Sequence, residues 1–178
     1  MNRYALFTDV SLNPRLKLGF GAYPVIPSSF LEIPSGRIIR SELVEQIKIR
    51  RFDVTSSTKR EVQTLLWALE DFQKELSDSK SGTLDVYSDS QCVTGLQRRR
   101  SQLEMNGFCS KGTKRILKNA CLYRKFYEFH DTLGFEVIKV VGHSRSHDSI
   151  HHIFSFVDKE ARKALKLCVK GFQGEATT

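Results

Sequence analysis

The stretch TLDVYSDSQCV, from Thr83 to Val93, places an acid where one kind of secondary structure gives way to another. Residues 83–89 are apolar and β-prone, which predicts a strand, and the following SQCVTGLQ predicts the start of a short helix. Asp89 therefore ends a strand. Acids at strand ends commonly bond only the local backbone, so Asp89 becomes informative only if other acids join it.

The same feature occurs near the N-terminus, in RYALFTDVSL, from Arg3 to Leu12. An apolar run there also ends in a carboxylate, Asp9. If the two strands are parallel neighbours, Asp9 and Asp89 project from the same sheet edge, where α/β sheets place their ligands. Two like charges so close raise each other's pKa unless a cation lies between them. The pair therefore favours a site for a divalent ion.

Two further acids lie where helices are predicted to begin. Glu61 falls in the first turn of a long amphipathic helix, and Asp158 lies near the start of the last helix, in FVDKEARKA. Each has an ordinary explanation. TKRE matches a capping box that pairs Thr58 with Glu61, and the helix dipole favours an acid near any helix N-terminus. Only the joint arrangement of two strand ends and two helix starts predicts a converging cluster.

Hydrophobic periodicity predicts the remaining elements. Strands are predicted near 3–9, 19–26, 45–52, 83–89 and 135–143, helices near 58–76, 111–133 and 155–170, and an irregular loop over 27–43. The first three strands are expected to be antiparallel. Because the later strands alternate with helices, the pattern indicates an α/β fold in which helices pack on a mixed sheet.

The length and the cysteines place limits on the class of protein. A chain of 178 residues predicts a single domain, 1–178, with a C-terminal tail over about 171–178. The four cysteines form no C-x-x-C pair, so we expect them to be reduced. We also expect a soluble, cytoplasmic protein, since the sequence shows neither a leader nor an apolar stretch of spanning length.

The charge of the chain is unevenly distributed. Lys and Arg outnumber Asp and Glu by 28 to 20, and the formal charge of +8 favours a polyanionic partner if the excess is clustered. Between residues 98 and 125 the only acid is Glu104, among many cations. A solvated helix face is the alternative interpretation of such a run.

Five segments together resemble the successive active-site motifs of type 1 ribonuclease H: FTDVS, TSSTKREVQTLLWALE, YSDSQCV, VVGHS and FVDKEARKA. The resemblance spans nearly the whole chain and implies the ribonuclease H-like fold. That fold has a five-stranded mixed sheet, three antiparallel strands followed by parallel additions, with helices on both faces. It also implies endonucleolytic hydrolysis of the RNA strand of RNA–DNA hybrids by a monomer that uses two Mg²⁺ ions, or alternatively Mn²⁺, without a membrane partner.

The resemblance assigns roles to individual residues. Asp9, Glu61, Asp89 and Asp158 match the four metal ligands, and His143 matches a histidine in a mobile loop. It places substrate contacts at Ser57, Thr58, Gln91, Arg98, Arg99, Lys114 and Lys118. Such a set suits the reaction, because two metals about 4 Å apart serve both the attacking water and the leaving 3′-oxygen. Mg²⁺ prefers oxygen ligands, and the 2′-OH distinguishes RNA from DNA.

Several positions depart from the family pattern. Val10 and NPRLKLG replace the glycines usual after the first acid, so the backbone there is expected to meet the RNA strand differently. Ser57 and Thr58 occupy positions where Asn is common. The loop before Asp158 is longer than usual and lacks the customary Asn and Glu. The basic run has no Trp, and the sole tryptophan, Trp67, is expected in the core.

Three alternatives remain open. A junction resolvase or integrase core would share the fold and its clustered acids, and a non-catalytic module would bind hybrids or RNA. The third is a site for Zn²⁺ or Ni²⁺, if the segment were helical, formed by His143, His147, His151 and His152. Because few other ligands complete that set, we predict a functional role for His143 alone and nearly silent substitutions at the other three histidines.

Overall fold

The computed structural model describes residues 2–53, 56–77, 82–141 and 148–175. Its strands are β1 (Asn2–Phe7), β2 (Asp9–Asn13), β3 (Leu18–Tyr23), β4 (Val25–Pro27), β5 (Lys48–Asp53), β6 (Gly82–Ser88) and β7 (Glu136–Lys139). Its helices are α1 (Arg40–Glu45), α2 (Ser57–Ser77), α3 (Gln91–Thr94), α4 (Leu96–Met105), α5 (Ala120–Leu133) and α6 (Ser149–Glu175). Two short 3₁₀ helices lie at Ser28–Glu32 and Ser35–Arg37.

The strands pair in both directions. One sheet has the order β4-β1-β6-β7 and the other has the order β2-β3-β5. β1, β6 and β7 run parallel, whereas β2, β3 and β5 are antiparallel, as are β1 and β4. The predicted α/β fold with a mixed sheet is therefore confirmed.

The prediction of a single five-stranded sheet is wrong, because two of the predicted strands are each divided. The first is divided at Thr8 and the second at Pro24, which leaves a four-stranded and a three-stranded sheet. Proline has no N–H to donate to a ladder, although the Pro24 carbonyl still accepts the N–H of Phe7 at 3.2 Å. The pairing register is the same on both sides of the break, since Leu6 lies opposite Val25 before it and Asp9 lies opposite Ala22 after it. The break therefore interrupts hydrogen bonding without shifting the register.

Helices cover both faces of the strands, as predicted. Successive strand residues point to opposite faces, and each face has its own core. Leu6 and Val86 pack in one cluster with α2, α4 and α5, and Trp67 packs against that cluster. Phe7 and Tyr87, whose rings stack with centroids 4.6 Å apart, pack in a second cluster with α1 and α6.

Two glycines of β3 allow α2 to lie directly on the strands. Gly19 and Gly21 point to the same face, because they are two residues apart. A Cβ at Gly19 would overlap the guanidinium of the buried Arg60, and a Cβ at Gly21 would overlap the Thr64 hydroxyl. Since Arg60 directly precedes Glu61, this close approach sets where Glu61 lies relative to the strand ends.

The helix predicted over 111–133 begins only at Ala120. Turns precede it, with an isolated bridge between Cys109 and Ile116. Lys114 adopts a positive φ of 56°, a left-handed conformation that a right-handed helix cannot contain. The cations of this region therefore lie mostly on turns rather than on one long helix.

The closing helix is longer at both ends than the predicted 155–170. It runs from Ser149 to Glu175, so most of the predicted tail is helical. The predicted loop over 27–43 likewise contains both 3₁₀ helices and the start of α1. Although α6 has 27 residues, neither it nor any other helix within the described ranges is apolar enough to cross a membrane.

Candidate active site

The two strand-end acids lie side by side. β1 and β6 are parallel, and Phe7 lies opposite Tyr87 in their register. The N–H of Thr8 then donates to the Tyr87 carbonyl at 3.1 Å. Asp9 and Asp89, each two residues beyond the Phe7–Tyr87 pair, therefore leave adjacent strands at the same edge, and both line one cleft.

Glu61 reaches this edge from α2. Its Oε2 accepts a hydrogen bond from the Ser90 hydroxyl at 2.5 Å, and it lines a small crevice together with the two strand-end acids. The capping box that would have been the ordinary explanation for Glu61 is not formed, because the residue that caps α2 is Ser56, whose Oγ accepts the N–H of Lys59 at 3.2 Å. The Glu61 carboxylate therefore points to the strand ends rather than to the first turn of its own helix.

Asp158 approaches from α6, but from a different position than predicted. Because the helix begins at Ser149, Asp158 is its tenth residue, and the explanation by the dipole of the first turn is wrong. Asp158 lines the same cleft as Asp9 and Asp89. One turn later, Arg162 pairs with it, with 2.7 Å between Nε and Oδ1.

The cluster is electrostatically costly without a cation. Burial raises the pKa of Asp9 from its ordinary 3.8 to about 8, and the Asp89 and Asp158 carboxylates add to that rise. A hydrogen bond between the Asp9 and Asp158 side chains also favours the protonated acid, whereas the Val10 N–H favours the charged form. The pKa of Asp9 thus lies well above its ordinary value, because its ionisation would add a charge to a buried acidic cluster.

An open cleft of about 350 Å³ lies over three of the acids. Its walls include Asp9, Asp89 and Asp158, apolar side chains of β2 and α6, and two side chains that can carry positive charge, His151 and Arg162. The cleft opens at the carboxyl ends of the parallel strands, the usual place for a ligand in an α/β fold.

His151 is a cleft residue to which the sequence assigned no role. Its Nδ1 lies 2.7 Å from Oδ1 of Asp148, and the same oxygen accepts the His151 backbone N–H at 2.8 Å. The other ring nitrogen, Nε2, is buried and has no hydrogen-bond partner among the described residues. An imidazole held by an acid at one nitrogen is suited to move a proton at the other.

Two signals in the sequence point to His151 once the start of α6 is known. DSIH places Asp148 three residues before His151, which is the spacing between an N-cap and the third helical residue. His151 and Asp158 are seven residues apart, which puts them on the same face of a helix. The predicted helix over 155–170 does not contain His151, so neither signal applies until α6 is known to begin at Ser149.

The predicted ribose contacts lie at the starts of helices that reach the acids. Ser57 and Thr58 open α2, the helix that carries Glu61, and Gln91 opens α3 directly after Ser90. Ser57 and Gln91 are exposed, and Thr58 is half-buried. These helices therefore bring all three residues near the edge that holds the acids.

The basic segment, residues 98–118, is exposed, but some of its cations are already engaged. Arg98, Arg99, Lys114 and Lys118 are all exposed. Arg99 nevertheless donates to the carbonyls of Cys92 and Gly95. Arg100 pairs with Asp131 and Glu104. Of the four predicted contacts, Arg98, Lys114 and Lys118 are therefore better placed for a polyanion than Arg99 is.

His143 and His147 lie outside the described residues, so the role predicted for His143 stays a prediction. Of the flanking histidines, His152 packs edge-on against Phe156, with ring centroids 4.8 Å apart. Within the ranges that the structure describes, no group of three or more His, Cys, Asp or Glu side chains is arranged to hold a metal ion. The predicted ligands are thus gathered at one edge without forming a ready coordination sphere.

The strand order and the helices on both faces resemble the ribonuclease H fold. No family model and no curated protein matches the sequence. Among solved structures, LC9-RNase H1, described as a type 1 RNase H with the type 2 active-site motif, matches with a TM-score of 0.65 and 16% identity. The match covers 92% of this chain and 72% of that chain.

Two further solved structures share the same fold. The PFV RNase H domain in solution matches with a TM-score of 0.58 and 14% identity over 91% of this chain and 92% of that chain. The foamy viral protease-reverse transcriptase solved in complex with dsDNA matches with a TM-score of 0.59 and 10% identity, over 90% and 93%. At these identities the likeness establishes the fold, and the motif resemblance is confirmed at that level.

Asp9→Asn is expected to change how stability depends on pH. Between the unfolded pKa of about 3.8 and the folded pKa of about 8, the folded protein keeps a proton that the unfolded chain has lost. Without divalent ions, the free energy of unfolding should therefore fall as the pH rises from about 4 to about 8. The substitution should remove this loss and raise the Tm at pH 8 by about 5 °C or more, with little change at pH 4.

Thermal unfolding in EDTA across this pH range checks the expectation. Added Mg²⁺ should raise the Tm of the wild type at pH 8 more than that of Asp9→Asn, since the wild type has one more carboxylate in the cluster to repel its neighbours and to bind the ion. The same pH dependence in both proteins would show that Asp9 titrates as an ordinary acid.

Proposed function

We propose that this chain is an endonuclease that hydrolyses the RNA strand of RNA–DNA hybrids with the help of two divalent ions. The observation that carries the proposal is the convergence of Asp9, Asp89 and Asp158 on one cleft, with Glu61 beside the first two. The cluster does not stabilise the fold, because like charges repel and burial of Asp9 raises its pKa. Such perturbed acids in a cleft are typical of functional sites.

The donor set fits Mg²⁺, with Mn²⁺ as an alternative. Both are hard cations that prefer oxygen ligands, and all four candidate ligands are carboxylates. Asp9, Glu61, Asp89 and Asp158 would hold the ions, and the hydrogen bond between Asp9 and Asp158 would give way on binding. When bound, the metals activate the attacking water and stabilise the leaving 3′-oxygen.

The chain's own residues would hold the acids in place and move a proton. The Ser90 hydroxyl keeps the Glu61 carboxylate at the strand ends. Asp148 orients the ring of His151. We assign to Nε2 of His151 the transfer of a proton to the departing 3′-oxygen. The sequence predicts a functional role for His143, so the two histidines are alternative candidates.

Selection of RNA would depend on the residues that open α2 and α3. Ser57, Thr58 and Gln91 carry hydroxyl and amide groups that can both donate and accept hydrogen bonds. The 2′-OH is the group by which a site distinguishes ribose from deoxyribose. Their position next to the acids supports a contact with the ribose near the scissile phosphate.

A cleavage assay tests the proposal. A labelled RNA–DNA hybrid is incubated with the protein and Mg²⁺, beside single-stranded RNA, double-stranded RNA and double-stranded DNA. We expect internal cleavage of the RNA strand of the hybrid alone, and its loss in EDTA. Cleavage of double-stranded DNA or of a four-way junction instead would favour a resolvase or integrase activity.

A non-catalytic hybrid-binding module is the second candidate. The observation that favours it is Val10, which stands where the family pattern has a glycine after the first acid. Such a module would bind the hybrid with the same affinity in Mg²⁺ and in EDTA and would leave it intact. The assay above therefore separates the two candidates.

Replacement of Arg98, Lys114 and Lys118 with Gln is expected to weaken hybrid binding and its salt dependence. Each duplex phosphate contact that is lost should lower the slope of log K against log salt by about 0.9. Fluorescence anisotropy with a labelled hybrid measures the slope. An unchanged slope would mean that the basic segment is only a solvated surface.

A further inference from the structure

A second set of cations lies on α6 and leads away from the acid cleft. All of them are exposed, and they line one groove of about 460 Å³ together with Leu167. At 3.6 residues per turn they fall within about 100° of the helix circumference, in a row about 17 Å long. We call this set the α6 basic row: Lys159, Arg162, Lys163, Lys166 and Lys170.

Arg162 connects the α6 basic row to the candidate active site. Its side chain lines both the acid cleft and the groove along the row. Its Nε is 2.7 Å from Oδ1 of Asp158. A polyanion that occupies the cleft therefore meets the row on a continuous surface.

Most of the charge of the row is not neutralised by the protein. Arg162 pairs with Asp158, and Lys163 lies 3.7 Å from Glu160, which also lies 3.6 Å from Arg40. Within the part of the chain that the structure describes, no carboxylate forms an ion pair with the other three lysines of the row. A concentration of one sign of charge along a helix attracts polyanions and raises their association rate.

The row and the basic segment lie on opposite sides of the strands. α4, where the basic segment begins, contributes to the core on one face, whereas α6 contributes to the core on the other. The acids lie at the strand ends between these two faces. A nucleic acid across the acid site would therefore have a basic surface on each side of the cleaved bond.

We propose that the α6 basic row binds the sugar–phosphate backbone of the nucleic acid in the cleft, over about half a helical turn beyond the scissile bond. A full turn of duplex is about 34 Å, twice the length of the row. Lysines on an exposed helix contact phosphates and position a duplex without reading bases. The proposal rests on the proposed function for the identity of the duplex as a hybrid.

The test uses two variants that each remove three charges. The first replaces with Gln the three lysines of the row that are furthest from Asp158: Lys163, Lys166 and Lys170. The matched control replaces three exposed lysines that pair with carboxylates outside both basic surfaces: Lys48, Lys74 and Lys125. Binding of a labelled hybrid is measured by anisotropy in EDTA, over roughly 50 to 200 mM salt.

The row variant is expected to bind the hybrid at least about ten-fold more weakly than the control variant does. Its slope of log K against log salt should be smaller by about 2 to 3. The difference should disappear when the hybrid is shortened by about five base pairs at the end that lies along the row. Because that end is not known in advance, the hybrid is shortened from each end in turn. Only one of the two shortened hybrids should lose the difference.

Several outcomes separate this proposal from the proposed function. If the wild type cleaves the hybrid but both variants bind it equally, the role of the row is overturned and the nuclease proposal stands. If the wild type cleaves nothing but the row variant alone binds weakly, the nuclease proposal fails and the row stands. A third outcome also overturns the proposal. If the row variant binds the hybrid as well as the control does but no longer binds vesicles of anionic phospholipid, the row is a lipid surface.

Discussion

Asp89→Asn is expected to lower the rate of RNA-strand hydrolysis by about a thousand-fold or more, which corresponds to about 4 kcal/mol of transition-state stabilisation. The amide keeps the shape of the side chain but removes a charge from the edge where Asp9, Glu61 and Asp158 converge. Neutral amides bind Mg²⁺ less well than carboxylates do. The loss should therefore fall on the chemical step, whereas binding of the hybrid in EDTA should be retained.

Asp85→Asn is the matched control for this prediction. Asp85 lies on the same strand four residues earlier, and its Oδ2 pairs with Arg3 at 2.8 Å instead of lining the cleft. The Asp85→Asn variant should hydrolyse the hybrid at a rate within about three-fold of the wild-type rate, because a surface ion pair contributes little to the stability of the fold. Turnover is measured at saturating hybrid and Mg²⁺. Retained turnover in Asp89→Asn would contradict the assignment of the site.

His151→Ala is expected to lower kcat by about a hundred- to a thousand-fold, with a smaller change in KM. The prediction follows from the contact of the ring with Asp148 and from the place of His151 in the wall of the acid cleft. Removal of a group that moves a proton in the transition state lowers kcat more than it changes substrate binding.

His152→Ala is the control, because His152 is the next residue and its ring packs on Phe156. His143→Ala is measured beside it, since the sequence predicts a functional role for His143. Asp148→Asn should lower kcat by part of the amount that His151→Ala does. The Tm of this variant shows whether the loss of the N-cap of α6 has also lowered the stability of the fold. If His151→Ala is silent and His143→Ala alone lowers kcat, the proton transfer belongs to His143.

The adjacency of Asp9 and Asp89 could be predicted because it depends on short-range patterns. Each acid follows an apolar, β-prone run, and two parallel strands that end alike bring their last residues to one edge. The division of the strands at Thr8 and Pro24 was not predicted. It changes which residues are hydrogen-bonded but not the register, so the prediction of the paired acids was unaffected.

The place of Glu61 could not be decided from its neighbours in the sequence. TKRE fits a capping box as well as it fits a site. The choice depends on Ser56, which caps α2, and on Ser90, which comes from a distant part of the chain and donates to Glu61. The glycines of β3 that bring α2 onto the strands are equally remote in sequence.

By itself, the sequence determined the α/β class, the acids at the strand ends and the excess of positive charge, because residue type and local periodicity are sufficient for these. Only the tertiary structure decided where α6 begins, and therefore that His151 and Asp158 share a face of that helix and line one cleft. It also decided that the pKa of Asp9 is raised, since Asp9 is buried and Asp89 and Asp158 approach it. These properties arise from contacts between residues far apart in the chain, which no local pattern encodes.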